Sequence, residues 1–317
     1  MIPKPKRKVH SLGTKVSPRS QRQLIEPAIF GLLAALFWGT TDFVSRFPSK
    51  KIGSGYSTFY VQLFSLIAFS AFTLATGLPS SSFLVKGAYP ALLDLVAGVL
   101  NVFGLMQLYR AFMIGNMSLS APIAGSFPIF TILIGFIVFG QGIGLEKGVA
   151  IAIVISGVIM TGVSPEQPTG VDKTKRRNGS AVLSALTASV FFGAAYVCLN
   201  AGVGYFGSVM TIWFVRVGAV FFGLPFLLIT TRKFLLPKEG AWKWILVMAV
   251  LDSSGFIALT LGYIYSGNSP ALVTTLSSLL GAVTTVLAAV VYRDRLTKIQ
   301  IVGIIILFLG VVIVLNV

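Results

Sequence analysis

Charge is scarce in this sequence. Only 11% of its 317 residues are Asp, Glu, Lys or Arg, where a soluble domain carries about 25%. Too few charged side chains are present to cover a water-soluble fold of this size. Histidine is scarcer still: His10 is the only one, and it lies in a polar N-terminal tail. Cysteine occurs once, as Cys198, which excludes an internal disulfide and leaves the redox compartment unmarked. No long apolar run contains a histidine, and no Gly-x-Gly-Asp pattern occurs. Ser–His, metal-assisted and paired-aspartate catalysis therefore lack their groups, so no enzyme chemistry, metal or cofactor is called for. A retinal-type receptor needs a lysine inside an apolar run for its Schiff base, and there is none.

What is abundant is apolar: 55% of the residues, with a mean hydropathy of +0.89. Runs such as "GVAIAIVISGVIMTGV" and "KIQIVGIIILFLGVVIVLNV" approach the ~20 residues needed to cross hydrocarbon. Cutting at charged and Pro/Gly-rich breaks predicts ten transmembrane helices, near 27–46, 55–77, 88–112, 116–140, 146–164, 179–202, 207–230, 242–265, 269–292 and 298–316. The runs are smooth rather than alternating, so they read as helices and not as barrel strands. The fold class is an all-α integral membrane protein in contact with the lipid bilayer.

The net charge of +16 would suggest nucleic acid in a soluble protein. In a bilayer it marks loops instead, and no nucleic-acid partner is expected. Residues 1–26 read as a disordered basic tail without the cleavage-site pattern of a signal peptide.

The chain repeats itself. "ALFWGTTDFVSR" (35–46) returns as "SVFFGAAYVCLN" (189–200), with Gly39 and Gly193 separated by 154 residues. Gln62 and Arg216 are also 154 apart, Gly115 and Gly267 152, and Gly157 and Gly310 153. One five-helix repeat occupies 27–164 and a second 179–317, joined by a basic linker loop at 165–178. Five crossings are odd, so the second copy enters the membrane upside down. Inverted repeats put a pseudo-two-fold axis in the membrane plane and a cavity where the halves meet, the layout of many secondary transporters.

Two five-helix halves, a Trp/Phe-Gly motif in the first helix of each, and short-linked fourth and fifth helices resemble the EamA branch of the drug/metabolite transporter superfamily. The matching residues are Trp38 and Gly39, Phe192 and Gly193, Arg216, and Pro128 in the fourth helix. The resemblance implies a ten-helix carrier, often an exporter, of small metabolites such as amino acids across the cell membrane, with both termini on one side. Two positions depart from the pattern. Gln62 stands where helix 2 usually carries a basic residue, and Trp38 stands where single-repeat multidrug exporters of the superfamily carry a proton-binding Glu.

Ionisable groups are expensive in hydrocarbon, roughly 2.5–3.5 kcal/mol each on insertion scales, so each needs a reason. Arg216 and Asp252 both sit near mid-depth in adjacent antiparallel helices: either they pair, or Arg216 receives a substrate carboxylate, or a substrate displaces Asp252 from the pair. Asp94 is either a cavity carboxylate or a hydrated group near the headgroups. Asp42 and Arg46, four residues apart, suggest an intrahelical pair near the interface. Trp38 and Tyr196, mid-helix and in the repeated motif, are candidates for a binding cavity; Tyr109, Tyr263 and Tyr265 read as interface anchors. Gly39 and Gly193 permit close helix approach. Pro122 and Pro128 bend helix 4, and helix 9 has no matching proline. The "GN" pairs at 115–116 and 267–268 read as tight turns. The expected substrate is a small zwitterionic or anionic molecule, and a homodimer is compatible with the pattern. A channel or a scaffold is the competing reading.

Sidedness draws opposite signals. Loops after odd-numbered helices hold fifteen Lys and Arg, and the others hold only Lys86 and Lys147, which puts both termini outside. The tail alone carries seven basic residues, which argues for the inside.

Overall fold

The computed structural model describes residues 18–77, 88–139, 144–162, 171–237, 240–266, 270–292 and 296–316. Among the described residues every regular element is a helix. In the first half these are α1 (Pro18–Ile52), α2 (Ser54–Ala75), α3 (Ala88–Ile114), α4 (Met117–Gly125), α5 (Phe127–Phe139) and α6 (Leu145–Gly162). In the second they are α7 (Val171–Thr231), α8 (Trp242–Tyr265), α9 (Pro270–Ser277), α10 (Leu280–Tyr292) and α11 (Lys298–Asn316). Among the described residues seven stretches are long and apolar enough to cross a membrane, and three more, Gly148–Gly157, Leu280–Val291 and Lys298–Ile313, are shorter apolar helices. Their outward faces carry large exposed apolar side chains such as Phe221, Ile229, Val250 and Val290. Bare apolar surface on this scale is stable against lipid rather than water.

Helix boundaries depart from the sequence-based spans in instructive places. The span expected to end at Arg46 runs on to Ile52 with Pro48 inside it. At the other end α1 starts at Pro18, so the last residues assigned to the tail are helical. The linker expected as a loop over 165–178 is helical from Val171. Extending an existing helix costs little once it is nucleated, and α1 runs through both Pro27 and Pro48. The sixth and seventh predicted helices follow one another without a loop. α7 holds both, as a first arm running to Phe206 and a second arm from Ser208 to Thr231, and Gly207 (φ 71°, ψ 177°) breaks the helix between them. That backbone conformation suits glycine, which has no Cβ to clash. The turn at Gly115–Asn116 is present, with Asn116 as the N-cap of α4; the 267–268 pair lies outside the described residues.

The fourth predicted helix is interrupted at Ser126, between α4 and α5. Pro128 is the second residue of α5, in the first turn, where a missing N–H removes no internal bond. The ninth is interrupted at Ser278–Leu279, between α9 and α10, 152 residues later and without a proline. In both breaks a serine hydroxyl bonds back to a carbonyl three residues earlier, Ser126 Oγ to Ile123 O at 2.6 Å and Ser277 Oγ to Thr274 O at 3.0 Å. Local hydroxyl-to-backbone bonds of this kind compete with the helical ladder. The interrupted helices cross each other: a Cβ on Gly281 would lie 2.8 Å from Ala121 O, and one on Gly125 would lie 3.2 Å from Ser278 O.

Similar reciprocity runs through the rest of the bundle. α6 packs on α11 around Gly157 and Gly310, where a Cβ would lie 2.6 Å from Leu307 N and from Val154 Cγ2 respectively. α3 packs along the second arm of α7, with Gly98 against Val215 O and Gly218 against Leu95 O. Without a hydrophobic driving force between helices in lipid, such close approaches supply the packing that associates them.

Candidate functional site

The two repeated motifs face one another across the middle of the molecule. Gly39 of α1 receives α10 of the other half: a Cβ there would lie 2.5 Å from Val283 Cβ and 2.8 Å from Leu280 O. Gly193 of α7 receives α5 in the same way, 2.5 Å from Phe130 Cβ and 2.9 Å from Phe127 O. A threonine secures each crossing. Thr284 Oγ1 donates to Gly39 O at 3.0 Å, and Thr131 Oγ1 donates to Gly193 O at 3.2 Å. Each half therefore clasps the other by the glycine of its motif.

The motif aromatics are seated by further glycines. A Cβ on Gly255 of α8 would lie 2.6 Å from Trp38 Nε1, and one on Gly104 of α3 would lie 2.7 Å from Phe192 Cε1. With its indole in that seat, Trp38 donates to the backbone oxygen of Asp252 at 3.3 Å. Trp38 stands edge-on to Tyr196 (6.4 Å between centroids) and to Phe256 (5.1 Å).

These rings border a partly open cavity whose atom-free space, its open side included, is about 420 Å³. Three elements of the first half line it, α1, α3 and α5, together with three of the second, α7, α8 and α10. Its apolar wall is built from Trp38, Phe127, Phe192, Tyr196, Phe256 and Leu280; its polar wall is Thr41, Asp42, Asn101 and Asp252. Phe127 and Leu280 each begin the helix that follows a break, so the interruptions in α4–α5 and α9–α10 turn these side chains onto the cavity. A smaller space of about 200 Å³ adjoins, sharing Asn101, Tyr196 and Phe256.

Behind the wall lies the charge. Arg216 is fully buried, with its Nη2 2.6 Å from Asp252 Oδ2. Its Nη1 donates to Gln62 Oε1, and its guanidinium carbon lies 4.4 Å above the Phe256 ring. Gln62 and Arg216 occupy equivalent positions of the two repeats, so their contact places them at the pseudo-two-fold axis. The departure at Gln62 then has a physical reason. Two basic side chains at these positions would meet head-on, whereas an amide oxygen accepts from the single guanidinium.

The sequence-predicted residues thus divide. Trp38, Tyr196 and Asp252 line one cavity, Arg216 stands behind Asp252, Gly39 and Gly193 shape the crossings around it, and Pro128 sits in the first turn of α5. Asp94 lies apart. It is fully buried, its carboxylate rests on Gly202 near the end of the first arm of α7, and neither oxygen closes a hydrogen bond. Asp42, read as part of an interface pair, is 4% exposed and faces the cavity. Tyr109 and Tyr263 are buried rather than interfacial, and the Tyr263 hydroxyl meets Thr274 Oγ1 at 3.0 Å. Tyr265 is half-exposed and stacks on Phe30. Sequence reasoning passed over Asn101, Thr131, Thr284, Gly104 and Gly255. The signals that could have found them are a polar residue at mid-run for Asn101 and the 153-residue spacing for the two threonines.

Comparison with known proteins agrees with this architecture. The EamA-like transporter family matches residues 26–163 and, a second time, 179–316. A solved crystal structure is similar in fold, with a TM-score of 0.61 at 14% identity over 90% of this chain and 95% of its own. No curated protein matches the sequence.

Proposed function

This chain belongs to the EamA-like transporter family, and on that premise we propose that it is a secondary transporter of small metabolites, an exporter in the cell membrane, with ten crossings arranged as two inverted repeats. The seven long spans and three shorter apolar helices supply ten segments in the expected order. The observation that carries the reading is the cavity between the halves, walled by corresponding elements of each. A solute held there touches both repeats at once, so it can stabilise an intermediate between inward-open and outward-open arrangements. The glycine crossings at Gly39 and Gly193 give the halves two equivalent surfaces on which to rock, as inverted repeats do in alternating access. Trp38 and Tyr196 form the solute's apolar seat. The Arg216–Asp252 pair sets the polarity of one wall.

Counterflow into liposomes tests the proposal, with purified protein and a panel of labelled amino acids and related metabolites. Saturable exchange that requires internal unlabelled solute is expected. Non-saturating flux would indicate a channel, and no flux from folded protein would oppose transport of this class.

A further inference from the structure

The cavity is unequal in charge. Behind its wall stands Arg216, and that charge is answered: Asp252 takes its Nη2, Gln62 its Nη1, and the Phe256 ring its face. The guanidinium is wholly buried behind Asp252 and does not itself border the cavity. Two carboxylates do border it, Asp42 and Asp252. With Asp252 matched by Arg216, Asp42 remains, and among the described residues no cation pairs with it. A carboxylate kept in a membrane interior without a counter-charge calls for a partner that is absent from the protein itself. The surrounding wall is aromatic, and ring faces attract cations; Arg216 over Phe256 shows that geometry already realised at 4.4 Å. Nothing at the wall offers a carboxylate an unengaged donor cation.

We propose that the cavity is an ammonium-binding site, with Asp42 as counter-ion and the rings of Trp38, Phe127, Phe192 and Tyr196 around the apolar body of the solute. The carried molecule is then an organic cation or a zwitterion recognised by its amine end, and a purely anionic solute is excluded. This rests on the transporter reading for its consequence, transport, but not for the binding itself. Equivalence of the repeats sharpens it: Asp42 and Tyr196 are 154 residues apart, so one half presents a carboxylate where the other presents a phenol ring. An amine bound between them has its charge at one copy and a ring at the other.

Three probes sharing a phenyl body separate the possibilities: benzyltrimethylammonium, phenethylamine and 3-phenylpropionate, each titrated onto the purified protein in detergent. The two cations are expected to bind saturably and to compete, and the carboxylate to be inert. Asp42→Asn is expected to weaken both cations at least tenfold while the elution profile and melting temperature stay unchanged, and Asp42→Glu to keep binding within a few-fold. Binding of 3-phenylpropionate alone would overturn the inference, as would cation binding that Asp42→Asn leaves intact. No binding of either cation by folded wild-type protein would overturn it too. Counterflow of benzyltrimethylammonium, which does not cross lipid unaided, then isolates the transport reading: binding without exchange keeps the site and sinks the carrier, and exchange of 3-phenylpropionate alone does the reverse.

Discussion

The two halves of this molecule share a backbone plan and differ in charge. Both carry an interrupted fourth helix, a glycine that seats the partner's second segment, a threonine that bonds that glycine's carbonyl, and an aromatic wedge from the motif. Yet Gln62 faces Arg216 at the axis, Asp42 answers to Tyr196, and Asp252 answers to Gly98. Packing obeys the symmetry because both copies bury the same shape. Charge breaks it because like charges at a two-fold axis would meet each other. The comparison suggests that the duplicated scaffold builds the cavity and that single-copy ionisable residues decide what enters it.

The largest effect is expected where the symmetry is broken. Arg216→Ala leaves Asp252 as an unpaired buried carboxylate, and removing one partner of such a pair costs about 3–5 kcal/mol. Loss of the monodisperse peak in size-exclusion chromatography, or a fall of many degrees in melting temperature, would register it. Gln62→Arg restores formal symmetry by placing two guanidiniums in contact, and a comparable loss of folded protein is expected; full tolerance would mean that the two positions do not meet.

Next come the shared crossings. Gly39→Ala and Gly193→Ala each place a Cβ against backbone oxygen and side chain, which overpacks the interface by about 1–3 kcal/mol. The two are expected to match within measurement error in thermal shift, and a wide disparity would show that the clasps are not equivalent. Smaller still, Thr131→Val and Thr284→Val each remove one interhelical hydrogen bond, which averages about 0.6 kcal/mol in membranes. A shift of a degree or two in melting temperature, alike for both, is the expected reading. Pro128→Ala is expected to be nearly silent in the same assay, because the proline occupies a first helical turn and the second half breaks at the same place without one.

That last point separates what could be read along the chain from what could not. Proline suggested a bend in the fourth helix and no matching proline marked the ninth, yet both are interrupted. The common cause is a hydroxyl bonding back into its own helix beside a crossing too close for a continuous ladder, and only the crossing makes that visible. Asp42 was misplaced for a simpler reason. The sequence around Pro48 and Lys50 looks like a helix end, but α1 continues to Ile52, which carries Asp42 deeper, onto the cavity wall. Tyr109 and Tyr263 lie near the ends of their apolar runs, where aromatics often anchor to headgroups, but neighbouring helices cover them.

The sequence by itself determined the membrane class, the duplication and the family. Hydrophobic run length and a repeat offset survive any packing arrangement, since bilayer thickness and helix rise are the same everywhere. It also singled out Arg216, Asp252 and Trp38, because a polar or charged residue in hydrocarbon stands out without coordinates. Only the tertiary structure decided that Arg216 spends its charge on Asp252 and Gln62, that Asp94 lies outside the cavity, and that Asp42 remains there without a counter-ion. Which ionisable groups meet depends on helix rotation and crossing angle. Those are set by contacts between residues distant in the chain, such as Gly39 with Val283 of α10 and Gly193 with Phe130 of α5, and no local pattern encodes them.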